Sequence, residues 1–205
     1  SLMFAPKERP GANENDEFIP VTAHGVKLLS MGLLINESDP VAVRGPLATR
    51  YVQQFLRNVA WGDVDFLILD LPPGTGDIQL TIVQTAELDG VVVVTTPQEV
   101  ALIDARKAIG LFERVETPIL GIIENMSYFQ CPSDGKIYHI FGEGGGEREA
   151  AKLGVPLLGK IPLDISTRFG GDEGRPVALE DPGQNPVSAA FRQVAEQCAR
   201  VVLDR

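Results

Sequence analysis

The chain has too few cysteines for a disulfide scaffold: its 205 residues hold two, Cys131 and Cys198, which cannot build a framework of bridges. It also has no apolar run near the ~20 residues that span a bilayer, and no signal-peptide pattern. Together these features lead us to expect a cytoplasmic protein with no membrane partner. Basic residues are scarce, with eighteen Lys and Arg against twenty-eight Asp and Glu and a formal charge of -10. That sign repels a nucleic-acid backbone, so no nucleic acid is expected either. No repeat and no composition shift divides the chain. The predicted organisation is a flexible polar segment over residues 1–18 and a single α/β domain over residues 19–205.

A phosphate-binding loop is also missing. The only match to Gly-x-x-x-x-Gly-Lys runs from Gly154 to Lys160 and is followed by Ile161, where a hydroxyl is needed. Its spacer Val-Pro-Leu-Leu suits a strand, and Ile161-Pro162 cannot open the helix that would face a phosphate. The flexible run Gly142-Glu-Gly-Gly-Gly146 precedes a helix, but Glu143 and Glu147 flank it and would repel an anion. A hinge or a tight packing turn is the expectation there.

What is present is concentrated in residues 65–77, Asp-Phe-Leu-Ile-Leu-Asp-Leu-Pro-Pro-Gly-Thr-Gly-Asp. The apolar run 66–69 is too continuous for a strand with one wet face and predicts a buried parallel strand. Asp70 then falls at its carboxyl end, where open α/β sheets bind ligands. Pro72 and Pro73 stop the strand, and Gly74 and Gly76 leave the backbone free to approach a phosphate closely.

Further strands are expected at 26–31, 41–43, 91–95, 119–123 and 157–161. Leu47, Tyr51, Phe55 and Val59 mark one face of a helix, and residues 78–85 mark another. Thr96-Pro97-Gln98-Glu99 reads as a helix start with Thr96 as N-cap and Glu99 closing a capping box, the helix running to Arg114. A short helix over 147–153 should end on Gly154. The last helix carries the stripe Val187, Phe191, Val194, Cys198 and Val201, so Cys198 is expected to pack rather than react. Strands alternating with helices predict a mostly parallel sheet with helices on both faces, burying Leu67, Leu69, Val92, Val94, Ile122 and Leu158 and placing Asp70 and Asn125 at one edge.

The runs VRGP (43–46), DLPPGTGDIQLT (70–81), VVVVTTPQEVALIDARKAI (91–109), GIIENMSYFQCP (121–132), FGEGGGE (141–147) and LGKIPLD (158–164) resemble the Mrp/ApbC family of iron-sulfur cluster carrier ATPases. That family has a P-loop NTPase fold of the nitrogenase iron-protein type with a deviant Walker A loop. The resemblance covers residues 20–200 and implies ATP and magnesium as cofactors, a homodimer, and acceptor iron-sulfur apoproteins as partners. It implies that Asp70 organises magnesium and that Gly74, Thr75 and Gly76 sense the γ-phosphate. It also implies that Asn125 reads the adenine edge and that Ile161, Pro162, Leu163 and Asp164 line the base pocket. For Arg44 a site role and a plain surface role stand equal.

Two departures bear on activity. The family's Lys-Gly-Gly-x-Gly-Lys-Ser/Thr loop is not in this sequence. Its Cys-Pro-x-Cys metal pair is here Cys131-Pro132-Ser133-Asp134, so a bridging iron-sulfur cluster is expected to be held weakly or not at all. Two readings remain open: a nucleotide-gated cluster carrier, or a remnant that folds and dimerises without productive ATP binding. A membrane-cycling ATPase would need a basic amphipathic C-terminal tail, which residues 200–205 do not supply.

Overall fold

Backbone pairing decides which of these runs become strands in a computed structural model that describes residues 2–34, 45–72, 74 and 76–204. The predicted strand 41–43, Arg44, Pro73 and Thr75 lie outside the described residues. Contacts divide the chain into two compact units, residues 1–87 with 172–175, and residues 88–171 with 176–205, where the sequence predicts one domain.

The first unit opens with a 3-10 turn, Leu2–Phe4, and two antiparallel ribbons. β1 (Gly11–Ala12) pairs with β2 (Phe18–Ile19), and β3 (Val21–Ala23) pairs with β4 (Val26–Leu28). The polar stretch expected to be a flexible tail is held by Asn13, whose side-chain oxygen accepts the N–H groups of Asn15 and Glu17 at 2.9 and 3.0 Å. Three helices follow: α1 (Met31–Leu34), α2 (Gly45–Arg57) and α3 (Asp77–Thr85). Phe18 meets the ring of Phe55 edge-on at 6.0 Å, and its backbone exchanges hydrogen bonds with Asn58 and Ala60. These contacts fasten the ribbon to the end of α2.

The run 66–69 departs from expectation. It is not a strand, and Phe66, Leu67 and Ile68 are 49%, 46% and 86% exposed, with Leu69 half-buried. A strand exists only if its N–H and C=O groups find a neighbour, and among the described residues none pairs with 65–70. The predicted burial of Leu67 and Leu69 is therefore corrected.

The second unit contains the parallel sheet. β5 (Val91–Thr95) leads through α4 (Glu99–Arg114) to β6 (Ile119–Glu124). A small hairpin follows, β7 (Phe129–Gln130) with β8 (Ile137–Tyr138). Next come α5 (Gly145–Leu153), β9 (Leu157–Lys160), α6 (Ile165–Asp172), a 3-10 turn at Val177–Leu179, and α7 (Pro186–Leu203). The strand order is β5-β6-β9, parallel throughout.

Val93, Ile122 and the helix residues Ala105, Ile109 and Ala150 form the core of one face, under α4 and α5. On the other face α7 packs against β9 and β6. An added Cβ on Gly159 would lie 2.5 Å from Val194 Cγ2, so only glycine lets α7 come this close. Ile122 and Leu158 are buried as expected, at 0% and 3% exposure. Val94 is not, at 60%, and Val92 is half-buried. Among the described residues β5 is an edge strand in this sheet, and α7 packs over its neighbours instead.

The start of α4 is also corrected. Its N-cap is Gln98, with no side-chain cap hydrogen bond. The Thr96 hydroxyl is buried without a partner among the described residues. Glu99 does not close a capping box but pairs with Arg106 at 2.8 Å. Arg106 in turn grips the buried Glu149 of α5 through Nε and Nη2 at 2.9 and 2.7 Å. This fork joins the two helices that cover the core.

Candidate functional site

The candidate site is built where β6 and β9 end, because their pairing continues past both strands. The Ile161 N–H donates to Glu124 O at 2.9 Å, the Ser127 N–H to Ile161 O at 2.9 Å, and the Leu163 N–H to Tyr128 O at 2.7 Å. Asn125 and residues 161–164 are thereby brought side by side at the carboxyl-terminal edge of a parallel sheet. Ile161 is 3% exposed, while Pro162, Leu163, Asp164 and Asn125 are half-buried. Together they make a mixed apolar and polar surface at the strand ends.

Asn125 is held at both ends. Its N–H donates to Thr95 O at 2.7 Å, and its Oδ1 accepts the Met126 N–H at 3.0 Å. Oδ1 keeps a second lone pair and Nδ2 offers donors, so a base edge finds both functions in one amide. Asp164 is the N-terminal cap of α6, accepting from the Ser166 hydroxyl and from the Thr167 N–H at 2.8 Å. Burial pushes its carboxyl up, but these hydrogen bonds outweigh burial and hold it below its ordinary value. Its carboxylate is thus committed to the helix, leaving backbone and methylene surface to a ligand.

Gly142 to Gly146 forms a tight packing turn that leads into α5. The anion at the amino end of that helix is internal: Glu124 Oε2 accepts the Gly146 N–H at 2.6 Å, and Oε1 accepts the Ser127 hydroxyl at 2.5 Å. Glu124 is 0% exposed. A Cβ on Gly146 would sit 3.0 Å from Glu124 Cβ, so this approach also calls for glycine. Ser127 and Glu124 did not emerge from the sequence as site residues. The available signal was a carboxylate ending an otherwise apolar strand, one position before the amide.

Asp70, Gly74 and Gly76 lie in the first unit. Asp70 is exposed. The turn after it is tied to α3 by Gln79, whose Nε2 donates to Pro72 O at 2.7 Å. Gly74 has φ +102°, a conformation that glycine alone adopts without strain, and Gly76 is the N-cap of α3.

Cys131 begins the turn of the β7–β8 hairpin, closed by Gly135 N–H to Cys131 O and Cys131 N–H to Lys136 O, both at 2.8 Å. The Ser133 hydroxyl lies 3.1 Å from its sulfur and holds the thiol below its ordinary range, helped by the Ser133 backbone N–H. Asp134, where a second thiolate would stand, accepts the Lys136 N–H at 3.0 Å, which holds its carboxyl down. Among the described residues no three His, Cys, Asp or Glu side chains gather as a metal-ligand set. The hairpin supplies one thiol per chain. Cys198 is half-buried, and burial pushes its thiol up, as suits a packing residue.

A parallel sheet with helices on both faces and two strand exits paired at its carboxyl edge defines an α/β protein of the class that binds ligands at that edge. The chain belongs to the ParA family described as NUBPL iron-transfer P-loop NTPase, whose pattern matches residues 1–199. It is 44% identical over 199 residues to an Arabidopsis thaliana iron-sulfur protein required for NADH dehydrogenase, covering 97% of this chain and 63% of that protein. It is 48% identical over 200 residues to a Deinococcus radiodurans iron-sulfur cluster carrier protein, covering 97% and 56%. Among solved structures it is similar to the Archaeoglobus fulgidus nucleotide-binding protein in complex with ADP, at 36% identity and TM-score 0.71 over 85% of this chain and 68% of that one. The chain thus spans about three-fifths of the length of these two curated relatives.

Proposed function

We propose that this chain acts as a nucleotide-responsive iron-sulfur cluster carrier, binding the base and bearing the cargo. The observation that carries this reading is the pairing of the β6 and β9 exits, which sets Asn125 beside Ile161 in a chain of the iron-transfer family. The adenine of ATP would lie against residues 161–164 with its edge on Asn125. Asp70 would organise magnesium through water, as that small, hard ion prefers, and residues 74–76 would respond to the γ-phosphate. Bound nucleotide supplies a charge and a shape that the empty site lacks. The protein's part is to hold the base and to couple loop order to cargo release. The cluster is cargo, presented between the Cys131 hairpins of two copies in a homodimer and passed to acceptor apoproteins in the cytoplasm.

The chemistry of the hairpin supports loose retention. One thiolate per chain and a carboxylate already bonded to Lys136 make a poor resident site, and looseness suits transfer. Phosphoryl transfer itself needs loop amides and a lysine around the phosphates, and the sequence offers no such loop, so ATP turnover by this chain is expected at background. The test is anaerobic reconstitution, followed by incubation with an apo form of a [4Fe–4S]-dependent hydro-lyase, with and without magnesium ATP. Recovery of hydro-lyase activity from the loaded chain, lost in Cys131→Ala, is the expected result. No transfer from a folded, loaded chain, or transfer unchanged in Cys131→Ala, would sink the carrier reading.

A further inference from the structure

The geometry points to Glu124 as the positioning residue of the base-reading turn, a role that rests on the reading of Asn125 given above. β6 is apolar from Ile119 to Ile123 and then ends in a carboxylate with 0% exposure. Such a group is costly to bury unless each oxygen is satisfied. Here both are, and both bonds act on the neighbourhood of Asn125. Oε1 takes the Ser127 hydroxyl at 2.5 Å, closing a ring around Asn125 and Met126. Oε2 takes the Gly146 N–H at 2.6 Å, fixing that ring to the first turn of α5.

The turn needs such a clamp. Met126 has φ +53°, a left-handed conformation uncommon for a residue with a side chain, which persists only where the surroundings over-determine it. Four bonds do so. The Asn125 N–H is held by Thr95 O and the Ser127 N–H by Ile161 O, the Met126 N–H is held by Asn125 Oδ1, and the Ser127 hydroxyl is held by Glu124. Two of them use side chains, and of these only the last spans the strained residue and ties the turn back to β6. Without it the Asn125 amide would keep its place on the strand but lose its aim.

The test uses the full chain, labelled with 13C and 15N, and adenosine and guanosine as probes, since neither needs a phosphate site. Two readouts are taken: the Met126 Cα shift and its amide-to-α coupling, which report positive φ, and the ratio of the two nucleoside affinities from shift titrations. Wild type should prefer adenosine about fivefold, the value of one good hydrogen bond, and Asn125→Ala should remove that preference. Glu124→Ala and Ser127→Ala should move Met126 out of the left-handed region and bring the preference to near unity. Glu124→Gln, which can still bond both partners once the Ser127 hydroxyl rotates, should retain both signals.

Met126 left-handed and the preference intact in Glu124→Ala would overturn the proposal. If Glu124→Ala does not fold, Ser127→Ala decides by the same two signals. An Asn125→Ala chain with an unchanged adenosine preference would sink the base reading alone, and the Met126 signals would still judge the clamp.

Discussion

Ile68 and Ile122 stand at matching places in two similar runs, Phe-Leu-Ile-Leu-Asp over residues 66–70 and Leu-Gly-Ile-Ile-Glu over residues 120–124, yet one is 86% exposed and the other 0%. The side chains are identical, so hydrophobicity does not separate them. Ile122 lies on a strand with a partner on each side, β5 and β9, and packs with Val93, Ala105, Ile109 and Ala150. Among the described residues, the run holding Ile68 has no strand beside it. Burying its side chains would mean burying unpaired N–H and C=O groups, and that cost exceeds what a few apolar side chains return. An apolar run specifies a strand only together with its neighbours.

The largest effect should come from cutting into the paired run. Ile122→Ala removes a fully buried side chain from between two helices and a sheet, and large-to-small changes of this kind cost about 2–5 kcal/mol. We expect about 3–4 kcal/mol in urea unfolding. A cost under ~1 kcal/mol would mean that the second unit is not packed around β6, and the contrast with Ile68 would collapse.

The second effect probes the helix layer over that strand. Glu149 is 5% exposed, and the hydrogen bonds from Arg106, then Lys152, hold its carboxyl down to about 2 from an ordinary 4.5. Its folded value is depressed, so the stability it contributes is present above about pH 4.5 and is lost as pH falls towards about 2. Its partners reach solvent, which screens the gain to about 1 kcal/mol. Urea midpoints measured from pH 7 to pH 2.5 should fall for wild type across that window and fall less for Glu149→Gln. Parallel curves would show that the fork contributes nothing to the layer.

Most of the second unit is legible in the sequence, because its signals are local or reinforce one another. The valines of β5, the Gly154 cap at φ +67° and the stripe of α7 each need only nearby residues to take effect. Asn125 and residues 161–164 meet because both end parallel strands, which topology alone implies. The start of α4 is not legible because Thr96, Pro97 and Glu99 fit a capping box, while Arg106 offers Glu99 a charged partner two turns along the helix. Glu124 is not legible as a site residue because its partners, Ser127 and Gly146, come from a turn and from the first turn of a helix 22 residues away. The run 66–69 differs from its sequence signal for the reason its comparison with β6 gives.

A third, smaller effect tests the rim of the candidate site. Asp164→Ala deletes the cap of α6 and leaves the Thr167 N–H without its acceptor. Such losses cost about 1 kcal/mol. Thermal unfolding should register that drop, and Asp164→Asn or Asp164→Ser should recover most of it. If Asp164→Ala leaves stability unchanged but Asp164→Asn lowers it, the carboxylate is doing something other than capping.

The smallest change in stability is expected at Ile68. Ile68→Lys places a charge on a side chain already in water, so unfolding free energy should move by less than ~0.5 kcal/mol. Association should change more than stability. Phe66, Leu67 and Ile68 form a continuous exposed apolar run whose backbone joins no strand among the described residues, the combination that invites edge-to-edge pairing between chains. A lysine within such a run acts as a gatekeeper. Sedimentation velocity over a concentration series should show less self-association for Ile68→Lys than for wild type, while a control at another exposed apolar position, Leu203→Lys, should leave it unchanged. A loss of more than ~2 kcal/mol in Ile68→Lys would show that this run is buried and paired in solution, and would place it with Ile122 on the other side of the comparison.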